Sequence, residues 1–313
     1  KIFAPGKFIQ GSDKMAIQSA KVTINGQDYA LSYSSSTGQW TATITAPNLS
    51  SYNQPNHYFN VLVTATNTAG TVTTADASNL DGLKFYVKER TPPVITITSP
   101  TEGAYITNDA QPIIGTITDE ANGSGVDTST VVVKVDGVVL TDVEFTPITN
   151  GYQFKATPAT NYSNGQHTAT VDAQDFDGNS ATQKSVSFTV DTVPPSLTIT
   201  SPTDNFVTND AALTVIGTTN DDTSSPVTVK ITLNGADQGT VTVGSDGGFS
   251  KPITLAEGSN TIVVTATDKA GKSSTVTRTV TYDSSVPQIT AASVVPNPAD
   301  AGATVVITVT IEG

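Results

Sequence analysis

Few residues in this sequence could perform catalysis. It contains no cysteine and only two histidines, His57 and His167. A catalytic triad or a zinc site needs partners that converge on the histidine. These two lie in unrelated places, one in a turn-rich loop and one at the entry of a predicted strand. No glycine-rich phosphate loop, HExxH or GxSxG motif is present. We therefore predict structural roles for both histidines, no catalytic residue and no organic cofactor.

The stretch Asp175-Phe176-Asp177-Gly178-Asn179 resembles part of a calcium-binding loop. Hard oxygen ligands at alternate positions suit Ca²⁺, so its two aspartates and its asparagine are candidate ligands. Two other turns, Asn67-Thr68-Ala69-Gly70 and Asp268-Lys269-Ala270-Gly271, occupy equivalent places. All three share a glycine that can adopt a positive φ. A plain turn is the favoured interpretation, and calcium is the alternative.

Two acidic pairs, Asp119-Glu120 and Asp221-Asp222, fall near the ends of expected loops. They could close a weak ion site between domains, although a solvated acidic loop is the favoured interpretation. Exposed aromatic side chains can stack on sugar rings, and packing at a domain rim is the competing explanation. The tyrosines in or near loops are Tyr52, Tyr58, Tyr152 and Tyr162.

The charge of the chain excludes several kinds of partner. The formal net charge is −13, which disfavours nucleic acid and anionic membrane surfaces. No apolar run reaches the roughly 18 residues that a membrane-spanning helix needs. We therefore expect no nucleic-acid binding and no membrane insertion. An acidic, threonine-rich chain is typical of an extracellular protein.

A repeated stretch organises the chain. Pro92-Pro93-Val94-Ile95-Thr96-Ile97-Thr98-Ser99-Pro100-Thr101 returns, with two substitutions, as Pro194-Pro195-Ser196-Leu197-Thr198-Ile199-Thr200-Ser201-Pro202-Thr203, a spacing of 102 residues. A period of that length fits a whole small domain rather than a solenoid repeat. The Pro-Pro junctions favour extended backbone and short, semi-rigid links. We expect domains arranged as an extended rod.

Each repeat has the pattern of short antiparallel strands. Alternating apolar residues end in a two-residue hairpin signal at Asn25-Gly26, Asp136-Gly137 and Asn234-Gly235. Turn signals recur about every 8 to 12 residues, which is typical of a β-sandwich. We predict an all-β protein of three tandem antiparallel β-sandwiches at 1–91, 92–193 and 194–286. Residues 287–313 are predicted to be the opening strands of a further unit.

These motifs resemble the bacterial immunoglobulin-like repeat. The resemblance rests on Pro-Pro-x-(Ile/Leu)-Thr-Ile-Thr-Ser-Pro-Thr at Pro92 and Pro194, and on Val-x-Ala-x-(Asp/Asn)-x-x-Gly at Val63, Val171 and Val264. The stretch from Ser51 to Tyr58 looks like a variant found in phage and prophage virion-associated proteins. The resemblance implies Ig-like sandwiches in an extracellular array, on a bacterial surface, in a secreted filament or in a virion, that spaces, stiffens or binds.

The two ends of the sequence suggest strand exchange. Residues 1–19 show little strand signal where the later repeats have two or three strands, and the tail holds two strands in surplus. We hypothesise that the tail of one chain completes the first domain of the next by β-strand addition. The predicted donor residues are Ile289, Val295, Val305, Ile307 and Val309, and the predicted acceptor core is Val22, Ile24, Trp40, Val63 and Phe85. The alternative is a segment of a longer repeating chain, whose successive copies join covalently.

Two function classes remain open from the sequence. One is a non-catalytic structural protein, either a stalk or a head-to-tail filament, whose partners are other copies or neighbouring Ig-like repeats. The other is an adhesin that recognises a cell-surface glycan or protein.

Overall fold

The computed structural model of the chain describes residues 16–313, and among these every regular element apart from two 3-10 turns is a strand. The described chain divides into two compact units. The first comprises residues up to 104, 110–162 and 166–188, and the second comprises 105–109, 163–165 and 189–313. No helix in residues 16–313 is long and apolar enough to cross a membrane. The prediction of an all-β chain of tandem sandwiches is confirmed. The predicted domain boundaries stay a prediction.

We call the first repeat the first sandwich, and its described part, from residue 16 onward, contains eight strands. Two 3-10 turns, at Ser51–Asn53 and Asp81–Leu83, interrupt it. Its strands are β1 (Ile17–Ile24), β2 (Gln27–Ala30), β3 (Ser32–Ser34), β4 (Gln39–Thr41), β5 (Phe59–Asn60), β6 (Leu62–Asn67), β7 (Val72–Ala75) and β8 (Lys84–Phe85). The largest sheet has the order β2-β1-β6-β7, while β3 pairs with β4 and β5 pairs with β8.

The second repeat contains nine strands, the second sandwich. Its strands are β9 (Val94–Ser99), β10 (Ala104–Ile106), β11 (Ile113–Thr118), β12 (Val126–Val135), β13 (Val138–Val139), β14 (Asp142–Ile148), β15 (Gly151–Thr157), β16 (Gly165–Asp175) and β17 (Lys184–Val190). One sheet has the order β14-β15-β11-β9, and the other contains the order β17-β16-β12-β13. Burial alternates along these strands, as expected when one face of each sheet lies in the core.

The third repeat contains eight strands, the third sandwich. Its strands are β18 (Ser196–Ser201), β19 (Phe206–Thr208), β20 (Ala212–Asn220), β21 (Thr228–Leu233), β22 (Ala236–Asp237), β23 (Gly248–Thr254), β24 (Gly258–Thr267) and β25 (Ser273–Tyr282). The two sheets have the orders β18-β20-β23 and β19-β25-β24-β21-β22. Side chains from both sheets form one core, which includes Val215, Ile231, Phe249 and Val264. Two last strands, β26 (Gln288–Val295) and β27 (Val306–Glu312), pair only with each other among the described residues.

The hairpin turns follow the local sequence closely. Asn25 and Gly26 have φ values of 49° and 74°, and the equivalent residues at the other two hairpin signals are also positive. Positive φ at both central residues is the geometry of a type I′ turn, which matches the right-handed twist of the flanking strands. The three predicted hairpins are therefore present, as β1–β2, β12–β13 and β21–β22.

The first sandwich departs from the expected pattern in two places. A single returning strand from Tyr29 to Tyr33 is predicted, but β2 and β3 belong to different sheets and are separated by Leu31. The alternating residues Leu83, Phe85 and Val87 predict a last strand. The structure has only the two-residue β8 there, because Val87 exchanges hydrogen bonds with Ser51 of the first 3-10 turn instead. These partners are distant in sequence, and alternation of apolar residues carries no information about them.

Candidate functional site

Three carboxylates meet near the start of the second sandwich. Glu89, Asp119 and Asp175 each offer one oxygen, and these oxygens all lie within 4.8 Å of one another. Glu89 precedes the Pro92-Pro93 link, Asp119 follows β11, and Asp175 ends β16. The two aspartates are buried and the glutamate is half-buried. We call these three residues the first carboxylate cluster.

Few polar groups compensate the charge of the first cluster. The Asn179 side-chain amide donates to Glu89 Oε1 at 2.8 Å and to Asp175 Oδ2 at 2.7 Å. The backbone N–H of Gly125 donates to Asp119 Oδ2 at 2.7 Å. The other oxygen of Asp119, Oδ1, is buried and has no hydrogen-bond partner. A buried acceptor without a donor destabilises the fold.

Burial and the crowding of carboxyl groups shift the pKa values in this cluster. Burial and the neighbouring Asp175 carboxyl raise the pKa of Glu89 to about 7. Burial and the neighbouring Glu120 carboxyl raise the pKa of Asp119 to about 6. Burial also raises the pKa of Asp175, but the hydrogen bonds from Glu89 and Asn179 outweigh it, so its net shift is downward. Glu89 and Asp119 therefore take up protons more readily than ordinary carboxyl groups do.

The structure separates the calcium candidates predicted from the sequence. Asp175 belongs to the first cluster, and Asn179 acts there as an amide donor. Asp177 lies elsewhere, since its Oδ2 accepts hydrogen bonds from the Ser50 hydroxyl and the Glu89 backbone N–H. The alternate spacing therefore does not define a calcium loop of its own. The turn forms because Asp175 Oδ1 accepts from the Asn179 backbone N–H.

A second cluster of three carboxylates lies near the start of the third sandwich. Asp191, Asp221 and Asp268 each offer one oxygen, and these also lie within 4.8 Å of one another. All three are buried, at 0%, 7% and 6% exposure. Asp191 precedes the Pro194-Pro195 link, Asp221 follows β20, and Asp268 follows β24.

The second cluster has only hydroxyl and backbone donors. The buried Ser224 hydroxyl donates to Asp191 Oδ2, and the Ser224 backbone N–H donates to Asp221 Oδ1 at 2.7 Å. The Lys272 backbone N–H donates to Asp268 Oδ1 at 2.9 Å. Asp268 Oδ2 is buried without a partner. Each cluster thus contains one buried carboxylate oxygen that no donor satisfies.

The two clusters are equivalent in the repeat. Glu89 and Asp191 each stand three residues before a Pro-Pro link, while Asp119 and Asp221 are separated by the repeat spacing of 102 residues. Asp175 and Asp268 begin the two equivalent turns. The acidic pairs indicated Asp119 and Asp221 from sequence alone. Sequence reasoning missed the link residues, Glu89 and Asp191, although their constant position before Pro-Pro was a usable signal.

The predicted glycan-stacking tyrosines pack against other aromatic rings. Tyr52 stacks on Phe176 with ring centroids 5.2 Å apart. Tyr162 packs on Phe188 at 5.8 Å, beside His167, which lies 2.6 Å from an Asp136 oxygen through its Nδ1. The remaining pairs are Tyr58 with Tyr86 and Tyr152 with Phe145. Rim packing accounts for all four positions, and glycan binding stays a prediction.

The predicted donor strands form a hairpin with exposed apolar residues. Ile289 and Val295 lie on β26, Ile307 and Val309 lie on β27, and Val305 immediately precedes β27. Exposure is 70% for Ile289 and 67% for Ile307. These side chains contact no core of the described chain, in contrast to the equivalent apolar residues of β18 and β20.

The predicted acceptor residues line part of the first core. Val22 and Ile24 are buried beside Phe59, Val61 and Leu83, with Val63 and Phe85 packed against them. Trp40 is half-buried and lines an apolar groove together with Val22, Leu31, Ala42, Ile44, Val63 and Leu83. Phe59 and Val61, which the sequence analysis did not place in the core, are among its most buried residues.

Comparison with known families agrees with this geometry. Residues 96–192 match the bacterial Ig-like domain family, and residues 195–284 match domain B of glucodextranase. The chain contains a bacterial Ig-like domain at residues 96–192. Its second Ig-like repeat contains Asp119, Asp175 and Asp191, and the third contains Asp221 and Asp268. The Ig-like segments thus bring the loop and turn carboxylates, and an acid ahead of each segment completes the cluster.

Solved structures similar to this Ig-like chain are distant from it. The fibronectin(III)-like modules of Clostridium thermocellum CbhA have 18% identity, cover 60% of this chain and 94% of their own, and give a TM-score of 0.38. A 1.5-MDa bacterial ice-binding adhesin has 22% identity, covers 87% and 89%, and gives 0.32. Bacteroides ovatus SGBP-B, solved with a mixed-linkage heptasaccharide, has 16% identity, covers 91% and 65%, and gives 0.23. No curated protein sequence matches the chain.

Proposed function

We propose that the chain is a non-catalytic structural protein of a bacterial surface or phage virion. In this proposal it builds an extended stalk that grows head to tail, by addition of β26 and β27 to the first sandwich of another copy. The observation that carries the proposal is the β26–β27 hairpin, whose apolar side chains are exposed in the described chain. A bacterial Ig-like domain and a net charge of −13 fit an extracellular structural role.

The hairpin exposes apolar side chains that an isolated strand pair cannot bury by itself. A two-stranded hairpin is marginal in water unless its apolar face packs against something. On β27 alone, Val306, Ile307 and Ile311 are each more than 60% exposed. Burying one such side chain fully is worth about 1.5 to 3 kcal/mol. The hairpin therefore gains stability from any partner that offers a complementary apolar groove and a free strand edge.

The internal repeat supports the choice of a second copy as the partner. Pro287 precedes β26 as Pro93 precedes β9 and Pro195 precedes β18. In the second and third sandwiches one of the opening strands, β11 or β20, pairs with the strand that carries a buried phenylalanine. Gly115 of β11 faces Phe154, and Gly217 of β20 faces Phe249. The hairpin is therefore equivalent to strands that fill the side of a sandwich next to this aromatic residue.

The first sandwich offers the corresponding edge. Trp40 on β4 occupies the place of those phenylalanines, and β4 pairs with β3 on one side only within residues 16–313. The apolar groove beside it is lined by side chains of the first core. An unpaired strand edge next to exposed apolar surface is a template for strand addition. We assign this edge and groove to the hairpin of a second copy.

Association in solution tests the proposal. The full chain should form concentration-dependent head-to-tail oligomers in sedimentation velocity, and deletion of residues 288–313 should leave a monomer. Ile307→Asp on β27 should weaken association by at least tenfold. Val286→Asp, a change at an equally exposed valine outside the hairpin (76%), should not.

Three results would overturn the proposal. One is a chain that stays monomeric at high concentration with its first sandwich protected from hydrogen exchange, which would assign the groove to residues of the same chain. Another is association that survives the deletion. The third is equal weakening by Ile307→Asp and Val286→Asp, since that would indicate nonspecific apolar contact.

A further inference from the structure

We propose that the two carboxylate clusters are binding sites for divalent cations of the Ca²⁺ class, one ion in each. Each ion would tie the residue before a Pro-Pro link to a loop and a turn of the adjoining Ig-like repeat. The proposal is independent of strand addition and rests on residues 89, 119 and 175 in one cluster and 191, 221 and 268 in the other.

The first argument is the charge that each cluster must neutralise. Three carboxylates with oxygens within 4.8 Å of one another repel strongly when burial removes water. No lysine, arginine or histidine within residues 16–313 forms an ion pair with any of the six. Near the first cluster, Lys88 directs its Nζ to the Asp177 backbone carbonyl at 3.3 Å. A bound cation is the missing counter-charge that fits both clusters.

The second argument is the pair of buried oxygens without donors. Asp119 Oδ1 and Asp268 Oδ2 have no hydrogen-bond partner, although the two residues are only 7% and 6% exposed. Glu120 Oε2, beside the first cluster, is also buried and unpartnered. A carboxylate oxygen in this state is costly unless it is protonated or bound to a metal. The unpartnered oxygen belongs to the loop aspartate in the first cluster and to the turn aspartate in the second. Because the position differs, both clusters need a cation rather than one particular hydrogen bond.

The donor atoms select the class of cation. Both clusters consist of carboxylate oxygens, with a serine hydroxyl nearby and no histidine or cysteine within reach. Zinc and other transition metals favour nitrogen and sulfur ligands. Mg²⁺ retains several waters in a strict octahedron, whereas Ca²⁺ accepts six to eight oxygens in flexible geometry. Buried clusters of three carboxylates therefore favour Ca²⁺.

The third argument is that the arrangement recurs with the repeat. Both clusters combine a link acid, a loop aspartate, a loop serine and a turn aspartate, in the same order along the chain. The equivalent turn in the first sandwich begins with Asn67, whose amide oxygen accepts from the Ala69 and Thr71 backbone N–H groups. That turn needs no carboxylate for its own geometry. The aspartates at the other two turns make the same turn bond with one oxygen and add a second, charged oxygen that the turn does not require.

Calorimetric titration of the full chain tests the proposal. After treatment with a chelator, CaCl₂ should bind with two ions per chain and raise the unfolding temperature, whereas MgCl₂ should bind at least tenfold more weakly. Asp119→Asn and Asp221→Asn should each reduce the stoichiometry from two to one. Asp246→Asn should leave it at two, since Asp246 also accepts a backbone N–H in a turn but is exposed and outside both clusters.

The unfolding temperature without calcium separates a metal site from a structural carboxylate. Removing one of three repelling charges should leave the chelated variants at least as stable as the original chain, while their gain from calcium falls by about half. A purely structural aspartate would instead lower stability equally with and without calcium. No calcium heat and no calcium-dependent shift in the unmodified chain, or equal shifts with MgCl₂ and KCl, would overturn the proposal without any variant.

Discussion

The two carboxylate clusters occupy equivalent places but differ in how they hold their charge. In the first, the Asn179 amide bridges Glu89 and Asp175, and the longer, half-buried glutamate can take up a proton. In the second, three aspartates are almost fully buried and no side-chain amide reaches them. The comparison indicates two degrees of dependence on a cation. In the first cluster an amide and a proton on Glu89 can reduce the repulsion between carboxylates, whereas the second cluster depends almost wholly on a bound cation.

The largest expected effect is at Asp268. When the free Ca²⁺ concentration is 100 times the dissociation constant, binding stabilises the folded unit by about 2.7 kcal/mol. Asp268→Ala should therefore remove about 2 to 3 kcal/mol of unfolding free energy in saturating Ca²⁺, and far less in chelator, as measured by urea denaturation. Asp175→Ala should destabilise the chelated protein more than Asp268→Ala does, because it strands the Asn179 amide with and without Ca²⁺. Equal losses with and without Ca²⁺ at Asp268 would contradict the dependence we infer.

Replacing Asn179 would make the first cluster resemble the second, because the second has no side-chain amide. Its amide donates to two carboxylates, and hydrogen bonds to charged groups are worth about 1.5 to 3 kcal/mol. Asn179→Asp should destabilise the chelated protein by about 2 kcal/mol and increase the calcium-dependent gain, as measured by urea denaturation in chelator and in Ca²⁺. Asn179→Ala provides the control, since it loses the donor without adding a charge. A calcium response that is no larger in Asn179→Asp than in Asn179→Ala would show that the added carboxylate does not face the ion.

The fold could be predicted from the sequence because its signals are local. Asn25-Gly26 selects its turn through the two residues themselves, and the Pro92 and Pro194 repeats mark where each Ig-like unit begins. The clusters could be predicted only in part, because Glu89 and Asp175 are distant in sequence and meet only once the sandwich closes. Asp177 illustrates the limit. Its spacing from Asp175 suited calcium, yet a serine hydroxyl and a backbone N–H from another segment hold it outside the cluster.

The pH dependence of stability distinguishes two ways of reducing the charge repulsion in the first cluster, protonation and cation binding. The pKa of Glu89 is raised from 4.5 to about 7 in the folded chain, so its protonated form favours folding. That contribution is complete below about pH 4.5 and is lost as the pH rises through 7. In chelator, the urea midpoint of the unit that contains Glu89 should fall between pH 5 and 8, and Glu89→Gln should flatten the fall. With Ca²⁺ present the fall should disappear or reverse, because protons and the ion compete for the same oxygens. A midpoint that rises with pH in chelator would contradict the raised pKa.

The smallest expected effect is at Asp283, which stands four residues before Pro287 as Asp191 stands four before Pro195. In contrast to Asp191, it is exposed, and its Oδ1 accepts the Ser285 backbone N–H at 2.9 Å. In the part of the chain that the structure describes, Asp283 belongs to no cluster of three carboxylates. Asp283→Asn should change unfolding free energy by less than about 0.5 kcal/mol and leave the calcium stoichiometry at two. The matched change Asp191→Asn should remove one ion. If Asp283→Asn lowered the stoichiometry as Asp191→Asn does, a link acid alone would suffice for binding, and the loop and turn aspartates would not be required.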